Sequence, residues 1–313
     1  MNSDGEFERL ARRAPPPEAL RWAARSIGRG ARAVSARRLR GGSSTAVHAI
    51  AVDDRRGRRH ALVLRRFIRS NWKRPDLPRR EAAILELLRD SAVPAPQLVA
   101  VDAEARECDV PALLMTKLGG HIDLTPKDMR GWLAQMAAVL PAIHEVAPSR
   151  PVRPYRPYTD PRTRDVPPWS RTPKAWTAVL DLARSRQPRT TPRFIHRDYH
   201  PGNILWLRGR LSGVIDWVNA AVGPPGIDLG HCRVNLVRLY GVAVADRFLA
   251  EYLSLTGAQP AGYDPYWDAI SLIDSNLGPR IDDDWQRLGP PGFTRERVRA
   301  RLDAYAVAIA ARC

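Results

Sequence analysis

One stretch of the chain decides the fold, residues 194–231, which read FIHRDYHPGNILWLRGRLSGVIDWVNAAVGPPGIDLGH. Two short apolar runs, 204–207 and 211–215, flank the turn sequence Arg-Gly-Arg, and this pattern predicts a β-hairpin. Two acids and an amide lie along this predicted hairpin and its approach: Asp198, Asn203 and Asp216. The sequence therefore predicts that three oxygen-bearing side chains gather at one end of the hairpin.

Such a set contains the residue types that phosphoryl transfer requires. A carboxylate orients the acceptor hydroxyl and takes its proton, and oxygen ligands hold Mg²⁺ against the β- and γ-phosphates. Mg²⁺ prefers hard oxygen donors, commonly one or two carboxylates completed by phosphate and water. We therefore predict Asp198 as the catalytic residue and Asn203 and Asp216 as metal ligands.

The same stretch resembles the aminoglycoside phosphotransferase and choline-kinase-like family, which has the protein-kinase-like fold. Residues 196–203, HRDYHPGN, are similar to the family's H-x-D-x-H-P-x-N catalytic loop, and Ile215-Asp216-Trp217 is similar to its metal-binding motif. Asp228-Leu229 resembles the D-L pair that follows, and residues 140–144 resemble an upstream L-x-x-L-H segment. The resemblance covers roughly residues 30–275.

The resemblance implies an α+β, bilobal protein-kinase-like fold, with a small antiparallel-sheet lobe followed by a larger, mainly helical lobe. It implies an enzyme that uses ATP or GTP with Mg²⁺ to phosphorylate a hydroxyl of a small molecule, such as an aminoglycoside-like antibiotic, a sugar or an amino alcohol. Trp217 after Asp216 favours small-molecule kinases over protein kinases, which carry D-F-G. A nucleotide-binding pseudokinase or regulatory module stays an alternative, and a protein kinase is a further one.

The predicted first lobe carries the residues that the resemblance assigns to nucleotide binding: Gly41, Gly42, Ser43, Ser44, Arg65, Glu81, Met115 and Lys117. Arg65 departs from the family, because the kinase fold usually carries a lysine here that pairs with a helix glutamate. Arginine keeps the charge but presents a bidentate fork instead of a point charge, and Glu81 is its expected partner. Met115 and Lys117 fall in the segment expected to form the hinge, where backbone groups meet the purine edge.

The chain is predicted to have three parts: a flexible basic tail over 1–17, an N-terminal nucleotide-binding lobe over 18–117, and a C-terminal helical catalytic and acceptor-binding lobe over 118–313. Its length of 313 residues is consistent with about two domains. Strands are predicted in the first lobe at these positions: 34–39, 46–52, 61–67, 98–101 and 113–118. Helices are predicted at these positions: 18–28, 78–90, 132–144 and 294–312.

The formal charge of +17 comes from 50 basic residues, of which 46 are arginines and four are lysines, against 33 acidic ones. No nucleic-acid-binding motif accompanies this charge, so a nucleic-acid partner is not expected. No apolar run has the length of a membrane-spanning helix, and no membrane partner is expected. The polar N-terminus and three scattered cysteines predict a cytoplasmic protein. A monomer and a homodimer both stay open.

Acidic residues in the C-terminal third suggest how an acceptor is bound. Acidic clusters with aromatic neighbours suit cationic, hydroxylated substrates, and three residues are predicted to contact the acceptor: Asp274, Asp282 and Trp285. The alternative is a solvated loop whose acids cap a helix or pair with arginines. His196 is predicted to brace the catalytic loop, His200 to shape its turn, and His231 to lie in the core.

Overall fold

The computed structural model of the protein describes residues 13–39, 45–68, 76–257, 263–275 and 283–312, with the backbone alone for 283 and 284. The chain divides into two compact units, Met1–Leu118 and Gly119–Cys313. Several positions predicted from the sequence lie outside the described residues: 1–12 of the tail, Gly41, Gly42, Ser43, Ser44 and Asp282. In the described part, no helix is long and apolar enough to cross a membrane.

The first unit is built on a five-stranded antiparallel sheet with the strand order β1-β2-β3-β5-β4. Its strands are β1 (Arg32–Arg38), β2 (Ala46–Asp53), β3 (Arg59–Arg66), β4 (Leu98–Asp102) and β5 (Ala112–Thr116). The described residues of this unit also form the helices α1 (Pro17–Ile27) and α2 (Asp76–Leu88). The five strands predicted from the sequence are confirmed, with ends that differ by up to two residues.

The β2–β3 hairpin shows how local sequence produces this sheet. Along β2 buried and half-buried residues alternate strictly, as expected for a strand with one face on the core. The turn that follows is closed by Asp54, whose Oδ1 accepts the backbone N–H groups of Arg56 and Arg58 at 2.9 and 3.0 Å. Gly57 adopts a φ of 77°, a left-handed conformation that glycine allows without steric cost.

The second unit is mainly helical and carries two small antiparallel strand pairs. Its helices are α3 (Met129–His144), α4 (Pro173–Arg184), α5 (Gly226–Tyr240), α6 (Val242–Thr256), α7 (Pro265–Asp274), α8 (Asp283–Leu288) and α9 (Arg295–Ala310). Its strands are β6 (Arg193–Ile195), β7 (Ile204–Leu207), β8 (Arg210–Val214) and β9 (Ala221–Gly223). β7 and β8 form the hairpin predicted from the sequence, and β6 pairs with β9. The α+β class predicted from the sequence is confirmed.

Helix α5 lies at the centre of the second unit and is buried along most of its length. Gly230 lets it approach α7 closely, because a Cβ atom at this position would lie 2.4 Å from the backbone oxygen of Trp267. The close approach fixes α5 against its neighbour, and α5 in turn presents Asp228 and His231 to the loop that follows β6.

Candidate active site

The loop of residues 196–203, called the catalytic loop below, begins where β6 ends. Asp228 on α5 holds its start, because its two carboxylate oxygens accept the backbone N–H groups of His196 at 2.9 Å and Arg197 at 2.8 Å. The Asp228 carboxylate is completely buried and also contacts Nε2 of His144 at 3.1 Å. Arg197 has a φ of 70°, a strained conformation for a residue with a side chain, and such strain concentrates at functional sites.

His196 braces the catalytic loop, as predicted. Its Nε2 donates to the backbone oxygen of Ile215 at 3.0 Å, and its Nδ1 accepts the backbone N–H of Asp198 at 3.2 Å. The ring packs on Trp217, with 4.4 Å between the ring centroids. Through these contacts one side chain ties the catalytic loop to the segment that carries Asp216. Tyr199 adds a second anchor, since its hydroxyl donates to the backbone oxygen of Met136 in α3 at 2.7 Å.

Arg197 pairs with Asp274, and this pairing corrects the role predicted for Asp274. Nη2 of Arg197 donates to Oδ2 of Asp274 at 2.8 Å, and the backbone N–H groups of Tyr158 and Thr159 donate to the same carboxylate at 3.2 and 2.9 Å. Only 2 % of the Asp274 side chain is exposed. This carboxylate neutralises a buried guanidinium and anchors a loop, so it has no exposed face for an acceptor.

Asp198 keeps 25 % of its side chain exposed, unlike Asp228 and Asp274. Nε2 of His231 lies 3.0 Å from its Oδ1, and Nδ2 of Asn203 donates to its backbone oxygen at 2.9 Å and lies 3.4 Å from its Oδ2. Burial alone would raise the pKa of Asp198. The hydrogen bond from His231 and the nearby rings of His200, His231 and His196 lower the pKa well below its usual range. Asp198 is therefore an oriented carboxylate anion.

His200 shapes the turn of the catalytic loop, as predicted. Its Nδ1 accepts the backbone N–H of Gly202 at 3.0 Å, which places the ring proton on Nε2. Burial lowers the pKa of His200 to about 4, against the opposing effects of the Asp198 and Asp216 charges. Ligand atoms of Asp198, His200 and His231 lie within 4.8 Å of one another. A protonated Nε2 cannot bind a metal ion, so the Gly202 contact argues against a metal site on this trio.

Asn203 and Asp216, the predicted metal ligands, lie next to each other through the backbone. The N–H of Ile215, which precedes Asp216, donates to the backbone oxygen of Asn203 at 2.9 Å. The Asn203 amide nitrogen is used within the catalytic loop, so its amide oxygen is the atom that a cation can reach. Asp216 follows β8 with a φ of 67° and is half-buried. Two hard oxygen donors at one end of a hairpin fit Mg²⁺.

The prediction that His231 lies in the core is wrong, because its side chain contacts Asp198 in the candidate active site. Its imidazole contacts the Asp198 carboxylate at 3.0 Å, and its ring centroid lies 5.7 Å from that of His200. A usable signal was present in the sequence. His231 follows Asp228 by three residues, a spacing that puts both side chains on one face of a helix, and Asp228 already contacts the catalytic loop.

Among the residues predicted to contact an acceptor, Trp285 lies beside the catalytic loop. Its ring centroid is 5.6 Å from that of His200, and Cζ of Arg238 lies 5.4 Å from the indole. Two acids of α7 and its N-terminus, whose side chains the structure describes, have internal partners. Asp264 caps α7 by accepting the backbone N–H of Tyr266 at 2.8 Å, and Asp268 forms a fully buried pair with Arg233 at 3.0 Å.

In the first unit the expected pair between Arg65 and Glu81 is formed. Nη1 of Arg65 donates to Oε1 of Glu81 at 2.6 Å, and both side chains are buried. Nε of Arg65 also donates to Oγ1 of Thr45 at 3.2 Å. The backbone N–H of Lys117 donates to the oxygen of Ala61 at 2.9 Å, and Met115 pairs with a strand on each side. The sheet therefore uses the Lys117 N–H, and the hinge role of Met115 and Lys117 stays a prediction.

Several solved structures share this fold. A thermostable mutant of aminoglycoside phosphotransferase APH(4)-Ia, in a ternary complex with ADP and hygromycin B, has a TM-score of 0.59 at 16% identity, covering 88% of this chain and 95% of its own. A putative aminoglycoside phosphotransferase from Ralstonia eutropha has a TM-score of 0.60 at 16% identity, covering 96% and 99%. Macrolide 2'-phosphotransferase MphH from Brachybacterium faecium has a TM-score of 0.56 at 18% identity, covering 91% and 96%.

These similarities define the class, a protein-kinase-like fold of the kind found in aminoglycoside and macrolide phosphotransferases. None of the curated proteins matches the chain significantly. The family model of the phosphotransferase enzyme family matches residues 35–266, and the chain belongs to this family.

Proposed function

We propose that the protein transfers the γ-phosphoryl group of ATP to a hydroxyl group of a small molecule, with Asp198 as the catalytic residue. The observation that carries this proposal is the state of Asp198. Its carboxylate is partly exposed and is oriented by His231 and Asn203. The side chain of Asp228 fixes the backbone of the loop that carries Asp198. An oriented carboxylate at this position is the group that phosphoryl transfer to a hydroxyl requires.

Asp198 orients the acceptor hydroxyl and receives its proton. As the hydroxyl oxygen bonds to the γ-phosphorus, the bond between that phosphorus and the bridging oxygen breaks, and ADP leaves. A carboxylate with a depressed pKa is a weak base, so Asp198 contributes mainly by orientation and takes the proton late. This fits a loose, metaphosphate-like transition state, in which the nucleophile needs little activation.

Asn203 and Asp216 would hold Mg²⁺, and Arg65, which Glu81 orients, would contact the nucleotide phosphates. When bound, Mg²⁺ neutralises charge on the β- and γ-phosphates. ATP is the proposed donor, because related structures are complexes with ADP, with AMP-PNP, and with streptomycin and ATP. Met115, Lys117 and the glycine and serine residues at 41–44 are also proposed, on the family resemblance, to contact the nucleotide.

The acceptor is proposed to be a hydroxylated small molecule that packs against Trp285. Hygromycin B and streptomycin occur in complexes of related enzymes, and another relative is named for phosphorylating macrolides. Asp264, Asp268 and Asp274 have internal partners. The described acids of this region therefore favour a cationic acceptor less than the sequence suggests, and the proposed class includes macrolides, sugars and amino alcohols.

The experiment is a screen for ATP consumption with aminoglycosides, macrolides, sugars and amino alcohols, followed by mass spectrometry of the acceptor. The expected result is an acceptor that gains one phosphoryl group in a Mg²⁺-dependent reaction. Asp198→Ala should abolish this gain while nucleotide binding persists, and Asp181→Ala, which removes an exposed acid of α4, serves as the matched control. Nucleotide binding without phosphorylation of any hydroxyl acceptor would refute the proposal and favour a pseudokinase.

A further inference from the structure

His231 and Asp228 lie on one face of α5, three residues apart, and both reach the catalytic loop. Asp228 accepts the backbone N–H groups of His196 and Arg197. His231 reaches the next residue by its side chain, with Nε2 at 3.0 Å from Oδ1 of Asp198. One turn of helix thus fixes the loop backbone and the carboxylate together.

The contacts of His231 distinguish it from a histidine that only fills space. In the part of the chain that the structure describes, its Nδ1 is buried without a hydrogen-bond partner. The polar contact of the ring is therefore the one to Asp198. Cys232, the next residue, is fully buried in the core, whereas the His231 side chain stays 12 % exposed beside His200.

We propose that His231 is a positioning residue for Asp198, an inference that rests on the proposed function. The Nε2–H group of His231 donates to Oδ1 of Asp198, whereas Nδ2 of Asn203 lies 3.4 Å from Oδ2 of Asp198. This assigns Oδ2 as the oxygen that faces the acceptor hydroxyl and receives its proton. Without the His231 contact the carboxylate rotates about its Cβ–Cγ bond, and fewer of its conformations align the hydroxyl with the phosphorus.

The test compares His231→Ala, which removes the N–H donor, with His231→Gln, which keeps an N–H donor on a chain of similar reach. Loss of a hydrogen-bond partner behind a catalytic group typically costs about 10- to 100-fold in activity. We expect kcat of His231→Ala to fall by about this factor, with an unchanged KM for ATP. His231→Gln should recover most of kcat. Cys232→Ala, which changes the fully buried neighbour on α5, is the control and should leave kcat unchanged.

The outcomes separate this inference from the proposed function. Wild-type turnover of any hydroxyl acceptor tests the proposed function alone. With wild type active, a normal kcat in His231→Ala overturns the positioning role, and so does a His231→Gln variant as slow as His231→Ala. The ¹⁵N chemical shifts of the His231 ring supply a readout that needs no turnover. They should report a proton on Nε2 in wild type and change in Asp198→Ala, and identical ring shifts in both proteins would also overturn the inference.

Discussion

The catalytic loop and helix α7 use their carboxylates in opposite ways. In the loop, Asp198 is partly exposed and is held by a histidine and an amide. At α7, Asp268 and Asp274 are buried opposite the guanidinium groups of Arg233 and Arg197, and Asp264 caps the helix. Among the described residues, some buried acids are counter-charges to arginines, as Asp268 and Asp274 are, and others accept backbone N–H groups, as Asp228 does. Partial exposure combined with hydrogen-bond donors other than arginine distinguishes the acid that can act on a substrate.

The largest expected effect is on turnover in the catalytic loop. Asp198→Asn keeps the shape of the side chain and removes the negative charge that orients the acceptor hydroxyl and accepts its proton. Because a positioned acid or base contributes about 10²- to 10⁴-fold, we expect kcat to fall by that factor. The free energy of unfolding should fall by no more than the roughly 1.5–3 kcal/mol that a hydrogen bond to a charged group contributes, since no arginine among the described residues depends on Asp198 for its counter-charge. Steady-state kinetics and urea denaturation measure the two quantities, and a strongly destabilised variant with normal kcat would contradict the comparison.

The opposite outcome is expected at α7. Asp268→Ala leaves the Arg233 guanidinium buried without its main counter-charge, and breaking such a buried pair typically costs about 3–5 kcal/mol. We expect the free energy of unfolding to fall by that amount, measured by urea denaturation. Replacing both partners, Arg233→Met with Asp268→Leu, should recover most of the loss because no buried charge remains. A double variant as unstable as Asp268→Ala would show that the loss has another origin.

The two regions also differ in how far they could be predicted. Asp198, Asn203 and Asp216 lie within 19 positions of one another, and local spacing and hairpin pattern suffice to bring them together. The five strands of the first unit were predictable for the same reason, since alternation and turn residues are local signals. The Arg65–Glu81 pair followed from the family resemblance.

Long-range pairing could not be predicted from such signals. Arg197 pairs with Asp274, which lies 77 residues away in sequence, and Arg233 pairs with Asp268, which lies 35 residues away. Because the chain has 46 arginines, the sequence offers many equivalent partners for each acid. Asp274 was therefore assigned to the acceptor. The prediction that His231 lies in the core did not use its helical spacing from Asp228, which was the informative signal.

A smaller effect is expected at the contact that joins the two regions, Asp274 with Arg197. Asp274→Asn keeps one oxygen that can accept the backbone N–H of Thr159, replaces the other oxygen by an amide nitrogen, and removes the charge opposite the guanidinium. Hydrogen bonds to charged groups contribute about 1.5–3 kcal/mol, so we expect the free energy of unfolding to fall within that range. The KM for the acceptor should change less than the stability does. A raised KM for the acceptor with an unchanged free energy of unfolding would instead support the prediction that Asp274 contacts the acceptor.

The smallest effect concerns pH and the ring of His200. Burial lowers its pKa to about 4, whereas an unfolded histidine titrates near pH 6.5, so between these values the unfolded chain binds a proton that the folded protein excludes. Stability is therefore unaffected by His200 above about pH 6.5 and falls as the pH decreases towards 4, by up to about 1.4 kcal/mol per pH unit. The depressed pKa of Asp198 acts in a lower window, because its contribution is lost only as the pH falls below the unfolded value near 3.9.

His200→Asn isolates this effect, because the asparagine oxygen can still accept the backbone N–H of Gly202 while the side chain no longer titrates. Urea denaturation from pH 5 to 8 should show a shallower loss of stability on the acid side for the variant than for wild type. The free energy of unfolding of wild type minus that of the variant should therefore be larger near pH 7.5 than at pH 5. Parallel curves over the whole range would mean that the folded ring accepts a proton as readily as the unfolded one. The neutral, Nε2-protonated state of His200, which argues against a metal site on Asp198, His200 and His231, would then be contradicted.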